Sequence, residues 1–249
     1  MIPIDLTQSN YGDVRKIKYD LAVLPWGATE PHNLHLSYTT DCLLSQAVAI
    51  DAAKRAYEKG VNVIVLPSIP LGAQNPGQRD EPFCIHTRYE TQKMVLTDIV
   101  ASLYHQGMRK LVIVNGHGGN SFKPMIRDLA VDYPDFIIAV TDWFAIVPQA
   151  GYFENKDDHA GELETSAMLY YYPEITDLSK AGEGKGIPFK VKSLTDGTAW
   201  APRIWTKATK DTGIGNPALA TAEKGEKYVQ EVVRRISNLF VELVQTPLY

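Results

Sequence analysis

The sequence predicts an α/β fold, a three-layer α/β/α domain around a mostly parallel sheet. Three observations carry this. Short continuous apolar runs recur through the first 141 residues, and each is followed by a stretch with helical spacing. Buried parallel strands covered by crossover helices have this pattern. The polar residues with ligand chemistry gather just after the apolar runs, where open parallel sheets place their sites.

The elements follow in order. Tyr19–Gly27 (YDLAVLPWG) reads as a buried strand ending in glycine. Asp41–Lys59 carries Leu44, Val48, Ala52 and Ala56 at helical spacing, with Gly60 as a stop signal. Val61–Pro67 is a second strand. Thr87–Gln106 is a helix with Met94, Val95, Ile99 and Leu103 on one side, closed by Gly107. Lys110–Asn115 is a third strand, Asn120–Tyr133 a helix and Phe136–Thr141 a fourth strand. Glu162–Tyr172 reads as a helix stopped by Pro173. The segment Ser179–Pro217 is rich in Gly, Lys and Thr, with room for one or two short strands around Phe189–Leu194; loops this long serve as lids or subunit contacts. Asn216–Val244 closes the chain as a long amphipathic helix.

Composition narrows the function. The chain has 249 residues, 45% hydrophobic and 22% charged, with a net charge of -4. That length suits one domain over residues 1–249. The mild acidity and the absence of a basic stripe exclude nucleic acid as the expected partner. Cys42 and Cys84 are too few for a disulfide scaffold, so a reducing, cytoplasmic setting is expected. The N-terminus has no apolar signal region, and no apolar run reaches the ~18 residues of a membrane span.

The chemistry lies in three segments, which with His159 hold four of the six histidines. Glu30 and His32 stand two apart, so in extended chain both point one way. A carboxylate and an imidazole together suit zinc, manganese or iron. Asp41 opens a helix, where it either caps the helix or bridges two metals. His117 lies in NGHGGN (Asn115–Asn120). Its glycines permit close approach and unusual dihedrals, and the amides of Gly118 and Gly119 can hold an oxyanion. A tight turn is the other reading. A phosphate loop is disfavoured, because the spacing is wrong and no Lys follows. His159-Ala160-Gly161-Glu162-Leu163-Glu164 is either an exposed acidic first turn or the completion of a metal site with an acid/base. His35 is placed to orient a ligand, and His86 lies in a loop, Asn75–Thr87, that should border the site. Trp143 either walls the pocket or belongs to the core.

Together these segments resemble the creatininase (creatinine amidohydrolase) family. Its E-x-H-G-x-H-L-P-x-x-T-D motif matches Glu30–Asp41, its N-G-H-G-G-N matches Asn115–Asn120, and its H-A-x-x-x-E-T-S matches His159–Ser166. The resemblance implies a dinuclear metal site, with zinc the first choice and manganese or iron(II) the alternatives. Glu30, Asp41 and His117 would hold one ion. His32, Asp41 and Glu164 would hold the other, with Glu162 in reserve. His159 would be the catalytic acid/base, acting beside Glu164. Creatininase itself takes a carboxylate two residues after the NGH histidine, where this chain has Gly119, so creatinine is disfavoured as substrate. Asn33 replaces the motif's Gly and Ser37 its Pro. The implied reaction is hydrolysis of a C–N bond in a small amide, cyclic amide or formamide by a metal-activated water, in a homo-oligomer such as a hexamer. A metal-dependent phosphoesterase or lyase, or a non-catalytic metal-binding protein, is the rival reading.

Overall fold

The computed structural model describes residues 2–156 and 158–249. After a single helical turn, α1 (Tyr11–Val14), the first apolar run forms β1 (Leu21–Trp26), with all six residues buried. There follow α2 (Thr40–Tyr57), β2 (Val63–Val65), α3 (Tyr89–His105), β3 (Lys110–Asn115), α4 (Lys123–Asp132), β4 (Ile137–Asp142) and α5 (Glu162–Tyr171). The last third holds the short α6 (Lys192–Thr195) and α7 (Trp205–Ala208), then the long α8 (Ala222–Gln245).

The four strands form one parallel sheet in the order β2-β1-β3-β4. Alternation of side chains along the strands sets the layers. Leu21 and Val23 of β1, with Val112 and Val114 of β3, face a core shared with α2, α5 and α8. Ala22, Leu24 and Trp26, with Leu111 and Ile113, face the opposite core, filled from α3 and α4. This is the expected α/β/α arrangement. On α8, Tyr228, Val229, Val232, Val233, Ile236 and Phe240 are all buried. Burying each large apolar side chain contributes about 1.5–3 kcal/mol, which fixes this helix against α2 and α5.

The register positions the site. Trp26 of β1 pairs with Asn115 of β3, and Asn115 pairs with Asp142 of β4. The three strands therefore end level, and the segments that follow leave from one edge. Strand order reverses between β1 and β3, since β2 lies on one side of β1 and β3 on the other. A crevice outside the carboxyl ends is expected at such a reversal.

Two expectations are corrected. No strand forms at Phe189–Leu194; the segment bends and then makes the helical turn α6. Its residues are largely exposed and reach no free sheet edge, so β-branched Val191 finds no pleated surface to pack on. The final helix starts at Ala222, not Asn216. Asn216 and Pro217 do start a helical turn, but it is a 3₁₀ turn of three residues, and α8 begins anew with Thr221 accepting from the Lys224 amide at 3.2 Å. No helix among the described residues is long and apolar enough to cross a membrane.

Candidate metal centre

Glu30 and His32 follow β1 directly and are both almost fully buried, at 1% and 0% exposure. The backbone turns sharply at Asn33, whose φ of 54° is left-handed. Glycine fits that conformation best and Asn next best, so Asn33 in place of the motif's Gly preserves the turn. It adds a link as well, because its Oδ1 accepts from the Gly182 amide at 2.8 Å and ties the 177–184 segment to the site. His32 donates from Nδ1 to the Glu30 carbonyl at 3.0 Å, which leaves Nε2 facing Asp41 Oδ1, also at 3.0 Å.

Asp41 is not a helix cap. The cap position is Thr39, which makes no side-chain cap bond, and Asp41 lies in the first turn with both oxygens turned into the site. Oδ2 is 3.2 Å from His117 Nδ1. His117 donates from Nε2 to the Ala73 carbonyl at 2.8 Å, so its Nδ1 is the free ring nitrogen, 2.7 Å from Glu30 Oε1.

Of the glycines around His117, Gly116 and Gly119 serve close approach, and none of the three has a left-handed φ. A Cβ on Gly116 would lie 2.4 Å from the Asp41 carbonyl oxygen, and one on Gly119 would lie 2.0 Å from that of Ala73 and 2.6 Å from His117 Nε2. Gly119→Ala is therefore expected to lower Tm by roughly 2–12 °C, from an overpacking cost of about 1–3 kcal/mol. A Cβ on Gly118 would meet nothing within 4 Å, so Gly118→Ala should leave Tm within about 2 °C. Thermal scans of the two variants beside wild type check the pair, and equal behaviour would refute the close-approach account. Gly118 lines the site cavity, whereas Gly119 does not appear on its wall.

His159 and Glu164 come from the other end of the chain. His159 donates from Nε2 to the Pro31 carbonyl at 2.9 Å, and its Nδ1 lies 4.0 Å from Glu30 Oε1. Its ring stacks at a tilt on His32, centroids 4.4 Å apart, and meets Trp205 edge-on at 5.3 Å. Glu164 lies at the start of α5, where its Oε2 accepts from the Ala160 amide at 2.5 Å. Glu162 points elsewhere. Its oxygens accept from Lys224 Nζ at 2.6 Å and from the Asn155 amide at 2.8 Å. It anchors the loop before His159 and cannot also serve the cluster.

Three groups of ligand atoms lie within 4.8 Å of one another: Glu30, Asp41 and His117; His32, Asp41 and Glu164; and Glu30, His32 and His159. The first two share Asp41. They lie beside a cavity of about 330 Å³, also walled by Phe144, Val147 and Leu163. Trp143 is not on that wall. It is fully buried in the core on the α2 face, and its neighbour Phe144 reaches the cavity instead. His35 donates to or accepts from Thr165 Oγ1 at 2.8 Å and so braces α5 next to Glu164. His86 accepts the Gln74 amide at 2.9 Å through Nδ1 and stays out of the cluster.

The donors fit a divalent metal. Glu30 Oε1 and Asp41 Oδ2 are buried yet make no hydrogen bond, although His117 Nδ1 is close to both. Orphaned buried carboxylate oxygens are costly unless a cation meets them. Backbone carbonyls hold one ring N–H of His32, His117 and His159, and the other nitrogen of each faces inward, the arrangement typical of ligating histidines. In the metal-free chain, burial alone would raise the Glu30 pKa, but His117 and His159 outweigh it and hold the carboxyl below its ordinary value. Burial would lower His32, yet Asp41 beside it pushes it up to about 10.

Sequence reasoning passed over two residues. Gln78 donates from Nε2 to Glu30 Oε2 at 2.5 Å, and Trp205 packs on His159. Both lie in segments without periodicity.

The family model that matches this chain is that of creatininase, creatinine amidohydrolase, over residues 5–240. The chain belongs to the creatininase family. A creatinine amidohydrolase homologue from Bacteroides fragilis NCTC 9343 is 56% identical and superposes with a TM-score of 0.98, covering 100% of this chain and 99% of its own. The mycofactocin precursor peptide peptidase of Mycobacterium tuberculosis is 29% identical over 230 residues, 86% of this chain and 84% of the relative. The creatinine amidohydrolase of Pseudomonas putida is 27% identical over 243 residues, 88% of each. The creatininase-family relatives thus include hydrolases of both a cyclic amide and a peptide.

Proposed function

We propose that this creatininase-family chain is a metal-dependent amidohydrolase that cleaves a C–N bond in a small amide, cyclic amide or formamide. One observation carries the reading: two ligand groups, buried except for the half-buried Glu164, share Asp41 beside a cavity large enough for a small molecule. Glu30, Asp41 and His117 would hold one divalent ion, and His32, Asp41 and Glu164 the other, with zinc the first candidate. Metal bound there supplies Lewis acidity and brings the pKa of water towards about 7.

The chain's own groups supply the rest. Burial lowers the His159 pKa, which favours the neutral ring whose Nδ1 can take a proton. Its Nε2–H stays on the Pro31 carbonyl, so proton traffic is confined to Nδ1. Gly118 borders the cavity, and its backbone amide is the candidate donor to the developing oxyanion. Phe144, Val147 and Leu163 give the substrate an apolar wall. No Lys or Arg lines the cavity among the described residues, which favours an uncharged amide over a phosphate ester. The peptidase among the relatives brings short peptides into the candidate range.

A homo-oligomer is part of the proposal. Trp200, Val191 and Ile187 are 83%, 57% and 50% exposed on the long segment, and they suit contact with a second copy.

The test is metal analysis followed by a substrate panel. Protein purified without chelator and resupplied with zinc, manganese or iron(II) should retain about two ions per chain. It should release amine from at least one of a cyclic amide, a formamide and a short peptide. Failure to retain metal would overturn the reading, and turnover of a phosphate ester alone would replace the reaction class.

A further inference from the structure

We infer that Gln78 is a positioning residue for the metal centre, selecting which oxygen of Glu30 is offered to the metal. The inference rests on the metal-site reading above and adds a residue that none of the three motifs contains. Gln78 is 2% exposed and sits in the helical turn Gln78–Asp80. Its amide has one fixed orientation. Nε2 donates to Glu30 Oε2 at 2.5 Å, and Oε1 accepts from the Asn75 amide at 2.6 Å. The Asn75 N–H requires an acceptor, and the Glu30 carboxylate requires a donor. Only a carboxamide of this length satisfies both without adding charge.

The consequence falls on the other oxygen. With Oε2 occupied, Oε1 is left without a hydrogen bond and lies 2.7 Å from His117 Nδ1 in the Glu30, Asp41 and His117 group. The turn that carries Gln78 is held in turn by the segment that packs on His159. The Trp205 amide donates to the Pro76 carbonyl at 2.7 Å, and the Trp205 ring meets His159 edge-on. One strap therefore braces the carboxylate at one side of the site and the imidazole at the other.

Gln78→Met keeps the volume and removes both hydrogen bonds. Partners of ligating carboxylates typically contribute 10–100-fold in metal affinity. Zinc and cobalt(II) titrations of the full chain against a chromophoric chelator should show one ion bound 10–100-fold more weakly in Gln78→Met, with the other changed far less. The Tm of the metal-free chain should change little. Gln78→Asn, too short to span both partners, should show the same split if the Met variant folds poorly. Two ions weakened equally, together with a fallen metal-free Tm, would reduce Gln78 to a structural role and overturn the inference. Unchanged affinities in the variants would also overturn it. Wild type that binds neither ion would instead overturn the metal-site reading itself.

Discussion

Asp41→Ala is expected to abolish stable metal binding and to lower activity by at least about 10³-fold. Asp41 is the one side chain common to the Glu30, Asp41 and His117 group and the His32, Asp41 and Glu164 group, with Oδ1 3.0 Å from His32 Nε2 and Oδ2 3.2 Å from His117 Nδ1. Removing it takes a ligand from both groups at once. Metal catalysis supplies several kcal/mol of transition-state stabilisation, which corresponds to a factor of about 10³ or more in rate. Metal content per chain should fall from about two to well under one after gel filtration, while the far-ultraviolet circular dichroism stays that of the wild type. Retention of both ions would refute the shared-ligand account.

The same variant carries a pH signature in the metal-free state. Burial lowers the His32 pKa, but Asp41 outweighs burial and raises it to about 10. A raised folded-state pKa stabilises the fold fully below the unfolded value near 6.5 and loses that contribution as pH rises through the folded value. Metal-free wild type should therefore lose stability from about pH 6.5 to about pH 10; Asp41→Ala should lose the His32 share of that slope, while the His117 share, which Glu30 raises first, should remain.

Much of this site was legible because its ligands sit at strand ends and helix starts. The apolar runs locate β1 and β3 within two residues, so Glu30, His32 and His117 fall at the carboxyl edge of the sheet by counting alone. Sequence spacing does not separate Glu162 from Glu164, two residues apart on one helix turn. The separation comes from Lys224, 62 residues away, which claims Glu162. The NGHGGN glycines announce themselves in the sequence, but their cause does not, since the Ala73 and Asp41 carbonyls that exclude a Cβ come from other segments. Gln78 and Trp205 are invisible for a related reason. Each acts through tertiary contacts from a single short helical turn, and no pattern of neighbours marks them. Trp143 shows the converse, because its place after a strand fits either wall or core, and only packing decides for the core.

His159→Asn is expected to lower kcat by about 10²–10⁴-fold, the usual contribution of a positioned acid/base, while leaving metal content unchanged. The geometry separates two roles for this side chain. As a proton carrier it needs a nitrogen facing the cavity and a fixed ring. It has both: His159 lines the cavity, Nε2–H is tied to the Pro31 carbonyl, and Trp205 and His32 pack against the ring. As a ligand it would act with Glu30 and His32, since those three also offer atoms within 4.8 Å of one another. The Glu30 oxygen nearest its Nδ1 is 4.0 Å away, however, whereas the same oxygen is 2.7 Å from His117 Nδ1. His159 belongs to neither of the two groups that share Asp41, and its Nδ1 is left for the proton. Metal analysis and steady-state kinetics on one preparation decide the matter. Full metal with a collapsed kcat and a flattened pH–rate profile places His159 in proton transfer. Loss of one ion alongside kcat would move His159 into the ligand set and leave the proton carrier to be sought elsewhere on the cavity wall.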